Sequence, residues 1–134
     1  DVKKAWAVVQ AAGCDNAKLL LDSWHYIRAG QPYDLSVLEG IPADKIVSIQ
    51  INDVQAHPYA KSILRDESMH DRMLPGTGTG FVKLMRDKGV QPTVMGVEVI
   101  SDEILSHGVA QAAKENYEAA RALLAQVWPE ALNA

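Results

Sequence analysis

Lys45-Ile46-Val47-Ser48-Ile49-Gln50-Ile51-Asn52-Asp53 is the stretch that decides the fold. Its β-branched content and strict alternation predict a strand. Successive side chains of a strand point to opposite faces. Val47, Ile49 and Ile51 therefore form one set, expected to pack against helices, and Ile46, Ser48, Gln50 and Asn52 form the other. The second set is polar for a buried strand, so that face has something to do besides packing.

Upstream, Lys18-Leu19-Leu20-Leu21-Asp22 is a short apolar run ending in an acid and reads as a buried strand. Residues 1–12 read as a helix with Ala5, Val8, Val9 and Ala12 on one face and Gly13 as its stop. Gly30-Gln31-Pro32 breaks the chain, and Asp34 is placed to cap a short helix through Leu38 that Gly40 ends. Downstream, a polar stretch from Val54 to Gly80 is longer than most loops, which predicts a lid, a binding loop or a short internal helix. A helix follows from about Phe81 to Lys88, stopped by Gly89. Thr93-Val94-Met95-Gly96-Val97-Glu98-Val99 reads as a third strand. The last helix runs from Val109 toward Val127, with Val109, Ala112, Ala113, Asn116, Tyr117, Ala120, Leu123, Leu124 and Val127 on one side, and Trp128-Pro129 ends it.

This order of elements predicts an α/β fold with a parallel sheet built from right-handed crossovers. Three strands alone leave two open sheet edges, so more strands are expected beside them. The opening Asp1-Val2-Lys3-Lys4 enters an amphipathic pattern directly, with no initiator methionine and no signal peptide. We therefore expect a single domain over 1–134 that is part of a longer polypeptide. The net charge of −4 argues against a broad nucleic-acid-binding surface, which needs clustered Lys and Arg. No apolar run is long enough for a membrane span. A lone cysteine, Cys14, leaves no internal disulfide to form and fits a cytoplasmic protein.

Each predicted strand carries one oxygen-bearing side chain near its C-terminal end: Asp22, Gln50 and Glu98. In (β/α)8 barrels the active site lies at that end. Three such groups converging suit a hard or borderline divalent cation. Asp22 equally suits a role as the cap of the element after it. A Glu flanked by apolar residues on a strand, like Glu98, needs a charged partner or a metal.

At these residues the chain resembles the xylose isomerase-like barrels, the family of sugar epimerases, inosose dehydratases and hydroxypyruvate isomerases. Asp22-Ser23-Trp24-His25 resembles the family's D-x-x-H segment, and Gln50-Ile51-Asn52-Asp53 resembles H-x-K-D on the next strand. Arg72-Met73-Leu74-Pro75-Gly76-Thr77-Gly78 is similar to R-x-L-P-G-x-G, and Val97-Glu98-Val99 to the last strand with its metal-binding Glu. The order and spacing hold over essentially the whole chain. The resemblance implies the last three strands and helices of a (β/α)8 TIM barrel, its sixth to eighth. It implies one divalent metal on Asp22, Gln50 and Glu98, with Gln50 standing where the family has His, a change that some of its branches carry. Mn or Mg is expected, with Co or Zn as alternatives; the amide argues against zinc. The fourth ligand, a Glu, would come from a strand this chain lacks.

The implied activity is a metal-dependent isomerase or epimerase, or a related dehydratase. Its substrate would be a sugar, sugar phosphate, keto-polyol or keto acid, losing a proton beside a carbonyl to give a metal-stabilised enediolate. Glu98 would be ligand and acid/base; His25 would assist catalysis and contact substrate together with Arg72 and Asn52. The complete protein would be the enzyme, this chain alone inactive, and its partners a homo-oligomer or the missing N-terminal half of the barrel. Two other readings stand beside it: a non-catalytic half-barrel used for assembly, and a DNA-repair endonuclease on the same barrel, against which Gln50 and the acidic balance both speak.

Overall fold

Three parallel strands, β1 (Leu19–Asp22), β2 (Ile46–Ile51) and β3 (Val94–Val97), are hydrogen-bonded in the order β1-β2-β3. The structure is a computed structural model that describes residues 1–57, 63–76 and 79–133. Around the strands run α1 (Val2–Ala12), α2 (Ser23–Arg28), α3 (Leu64–His70), α4 (Thr79–Asp87), α5 (Asp102–Ser106) and α6 (Val109–Val127). Parallel strands joined through helices confirm the α/β class.

The register places the functional layer. Asp22 pairs with Gln50, and Gln50 with Gly96. Glu98 lies two residues beyond Gly96, on the same side, and its N–H donates to the Ile51 carbonyl at 3.3 Å.

The predicted alternation of β2 needs one correction. Leu19 pairs with Ile46 but Leu20 with Ser48, so Val47 is an extra, bulged residue. The bulge flips the parity below it: Ile46 joins Ile49 and Ile51 in the core, and Val47, expected there, is only half-buried.

The core lies on one face of the sheet. Leu19, Leu21, Ile46, Ile49 and Ile51 meet Phe81, Val82 and Met85 of α4 and Leu123, Leu124 and Val127 of α6. On the opposite face Leu20 and Val94 stay 52% and 57% exposed, although both are large apolar side chains.

Helix α1 has nearly its expected bounds. Asp1 caps it by accepting from the Lys4 N–H at 2.9 Å, and Gly13, at φ 61°, takes the left-handed conformation that ends it. Its buried face is Val2, Trp6 and Val9, and the expected Val8 is 70% exposed. Val2, Trp6 and Val9 share the i, i+4, i+7 spacing, and an indole buries far more apolar area than the Ala5 and Ala12 methyls. In α6, which has its predicted bounds, packing is concentrated in Ala120, Leu123, Leu124 and Val127, while Val109 and Tyr117 are exposed. A 19-residue helix is about 28 Å long and the four residues of β3 only about 13 Å, so its early turns run past the sheet.

Asp34 caps a 3-10 turn, Leu35–Leu38, where a short helix was expected. The long stretch after β2 contains the short helix α3. Helices α2 and α5 were not anticipated; each starts on a side-chain cap, Asp22 for α2 and Ser101 for α5. Among the described residues no helix is long and apolar enough to cross a membrane.

Candidate active site

Asp22 is held from three sides. Its Oδ1 accepts from the His25 N–H at 2.9 Å, so it does cap α2. Its Oδ2 accepts from Asn52 Nδ2 at 2.9 Å and from Arg72 Nη1 at 3.1 Å. The same Arg72 Nη1 donates to Glu98 Oε2 at 2.8 Å. One guanidinium nitrogen therefore joins the two strand-end carboxylates, which lie far apart in sequence.

Arg72 reaches this position on a strap of three residues. Met73 forms an antiparallel bridge with Asp53, after β2, and Asp71 forms one with Ser101, after β3. Between them the Arg72 N–H donates to the Ile100 carbonyl at 3.0 Å. The strap thus lies across the C-terminal ends of both strands. The side chain is fixed further by Ser68: Nε donates to its carbonyl at 2.8 Å and Nη2 to its Oγ at 2.9 Å. The guanidinium lies 5.5 Å from the centre of the Trp24 ring, within cation–π range.

A cavity of about 620 Å³ opens over this layer, and Asp22, His25, Gln50, Arg72 and Glu98 all line it. The Glu98 side chain is 37% exposed, and its Oε1 has no protein partner among the described residues. The Gln50 amide also lacks a side-chain hydrogen bond among the described residues. Gly96, its partner on β3, lies beside it; a Cβ there would be in ordinary contact, 3.6 Å from Gln50 Cγ. Tyr26 lines the cavity too, but it is poorly suited to proton transfer. Burial first, and then the Asp34 charge, push its hydroxyl up to about 12, and it donates to the Pro32 carbonyl at 2.7 Å.

Asn52, expected to touch substrate, is instead fully buried behind the cavity wall. Nδ2 donates to Asp22 Oδ2 and, at 3.2 Å, to the Glu98 carbonyl. Ser23 Oγ lies 2.8 Å from both Asn52 Oδ1 and its carbonyl oxygen and accepts from the Asn52 N–H at 2.9 Å. With every polar atom bound to protein, Asn52 sets the position of Asp22 and of the β3 end. Thr77 and Gly78 of the R-x-L-P-G-x-G segment lie outside the described residues.

Sequence reasoning missed a second buried network. Glu67, fully buried on α3, accepts from Arg28 Nε at 2.7 Å and Trp24 Nε1 at 3.2 Å. This pair ties α3 to α2, and so sets both Ser68 and Trp24 around Arg72. Nothing in sequence spacing links residue 28 to residue 67; the only local signal is an acid in the first turn of a helix.

As donors, Asp22, Gln50 and Glu98 form an all-oxygen set, the kind that hard cations such as Mg and Mn take. Among the described residues no three His, Cys, Asp or Glu side chains cluster as a metal site; Gln50 takes the place of a third such group. The free Gln50 amide and Glu98 Oε1 fit a cation. Asp22 Oδ2, the oxygen that meets Arg72 beside Glu98, fits only after giving up one of its two hydrogen bonds.

Parallel strands joined through helices, with Asp22, Gln50 and Glu98 at their C-terminal ends under a shared cavity, are the layout of an α/β protein with its site at the strand ends. The chain belongs to the xylose isomerase-like TIM barrel family, which it matches over residues 1–127. Among curated proteins it is similar to the inosose isomerase of Halalkalibacterium halodurans, 30% identical over 115 residues, which are 83% of this chain and 38% of that protein. Among solved structures it is similar to the IolI protein, crystallised with a zinc atom. The TM-score is 0.75 at 20% identity, over 94% of this chain and 44% of that one. The chain thus spans less than half the length of either.

Proposed function

We propose that these three strands are the sixth to eighth of a (β/α)8 barrel, and that the complete protein is a metal-dependent isomerase, epimerase or related dehydratase of a sugar or keto-polyol. The observation that carries this reading is the shared cavity: Asp22, Gln50 and Glu98, from three adjacent strand ends, line it together with His25 and Arg72. Asp22, Gln50 and Glu98 would hold the cation, Mg or Mn in keeping with their oxygen donors. When bound, that cation supplies Lewis-acid polarisation of the substrate carbonyl.

The chain's own groups do the rest. The Glu98 carboxylate, which faces the cavity and is steadied by Arg72, takes the proton from the carbon beside the carbonyl. Before a cation is bound, Arg72 balances the two carboxylates and keeps them at a fixed spacing. His25, exposed at the cavity edge and packed edge-on against Trp24, presents its ring to substrate hydroxyls. Asn52 and Ser23 hold Asp22 in place from behind.

The test is solvent proton exchange into a keto-inositol, the substrate class that the relative's name points to. In the complete protein, Glu98→Gln should slow that exchange by about 10²–10⁴-fold, the usual worth of a general acid/base. Exchange at the unaltered rate would remove Glu98 from the mechanism.

One feature favours a second reading for this chain by itself. Leu20 and Val94 are exposed on the sheet face away from the core, as expected of a unit that assembles through that face. Sedimentation of the isolated chain as a monomer at high concentration would count against it.

A further inference from the structure

We infer that Arg72 is the resident counter-ion of this site, and that a divalent cation binding at Asp22 and Glu98 must displace its guanidinium from Asp22. The inference rests on the proposed cation site and concerns what opposes its filling. The Asp22 oxygen on the Glu98 side, Oδ2, already accepts two hydrogen bonds, so a cation that bridges Asp22 and Glu98 there must take the place of one of them. Oδ1 takes the backbone N–H of His25, which α2 needs as its cap, and Oδ2 takes Asn52 Nδ2, which is buried and tied to Ser23 and to the Glu98 carbonyl. Of the three donors only Arg72 Nη1 carries a positive charge that the cation itself replaces, and it alone comes from the end of a long side chain. It is the contact that yields.

Charge points the same way. Nη1 bridges the two carboxylates a cation would use, so the cation and the guanidinium would compete for the same negative charge. The guanidinium does not yield freely, because its other two nitrogens are anchored to Ser68 and its face lies over Trp24. A rigid planar group held along one edge can withdraw Nη1 only by tilting or by losing a Ser68 bond. The anchoring therefore sets how strongly the site resists a metal, and Arg72 that leaves Asp22 becomes a free donor facing the cavity.

The experiment is calorimetric titration of the chain with Mn²⁺ alone, for the wild type, Arg72→Met and Ser68→Ala. Removing a unit charge a few ångströms from both ligands should tighten binding by about tenfold or more in Arg72→Met. Ser68→Ala loosens one anchor and leaves the charge, so it should tighten binding by a smaller factor in the same direction. It also decides the matter if Arg72→Met fails to fold. Affinity unchanged or weaker in the folded variants would overturn the competition and leave the cation site standing. No binding by the wild type or by either variant would overturn both.

Discussion

Asn52→Asp exchanges one buried atom, the Nδ2 donor, for an oxygen, with almost no change in volume. In the native chain that nitrogen donates to Asp22 Oδ2 at 2.9 Å and to the Glu98 carbonyl at 3.2 Å. A bond to a charged acceptor is worth about 1.5–3 kcal/mol and one to a carbonyl about 0.5–1.5 kcal/mol, so their loss alone should cost about 2–4 kcal/mol. At neutral pH the new carboxylate would also face that of Asp22 in a buried setting, and like charge and burial both raise its pKa. A folded-state pKa raised above the unfolded one leaves stability intact at pH below the unfolded value and removes it as pH rises toward the folded value. In acid the protonated side chain can again donate one hydrogen bond. Urea unfolding of the chain should therefore show a deficit of about 3–5 kcal/mol at pH 7 that shrinks to about 1–2 kcal/mol near pH 4, relative to wild type at the same pH. A deficit below 1 kcal/mol at pH 7, or one of the same size at both pH values, would refute the orientation of Asn52 and its role behind Asp22.

Glu67→Gln removes the charge from a fully buried partner of Arg28 and should destabilise the chain by about 3–5 kcal/mol in the same assay, with a shift in Trp24 emission because its Nε1 bond changes; a loss under 1 kcal/mol would show that the pair is not buried as described. Gly80→Ala would place a Cβ 2.7 Å from the Tyr33 ring and should cost about 1–3 kcal/mol, most of it recovered in the double variant with Tyr33→Ala. Additive losses in that cycle would mean that the ring and the glycine do not touch. Glu115 is held below the ordinary glutamate value, first by the Gln111 Nε2 hydrogen bond and then by His107. A lowered folded-state pKa contributes stability at pH above the unfolded value that is lost as pH falls through the folded one. A carboxyl NMR titration should place its midpoint below 4.5 and show it rising in Gln111→Ala; a midpoint that Gln111→Ala does not move would contradict this hydrogen bond.

What the sequence made legible follows from how local each signal is. The strand at Ile46–Ile51, the bounds of α6 and the stop at Gly13 rest on periodicity and on single residues with strong backbone preferences, so they were readable in order along the chain. The Val47 bulge was not, because an extra residue appears only when β2 is set beside β1. Asp22, Gln50 and Glu98 could be grouped because strand parity puts them on one side near one end. Arg72 could be singled out, but not its attachment to Asp22 fifty residues away, which depends on the strap and on Ser68. Asn52 was misread for a related reason. A polar residue at a strand end looks the same in sequence whether it faces a cavity or a neighbouring carboxylate, and only the packing of Ser23 against it decides.

The Asp53–Met73 bridge has a consequence for how such a chain can change over generations. It sets Asp53 and Met73 side by side, so the connection between them begins and ends at fixed points whatever its length. Closing a loop twice as long costs only about 0.6 kcal/mol more. Insertions and deletions there can accumulate at little thermodynamic expense while Arg72 stays where it is, stitched to the strand ends. The part of the connection ahead of α3 is thus an exchangeable cassette mounted on an unchanging frame, open to drift in sequence and size without disturbing the charged layer that Arg72 joins.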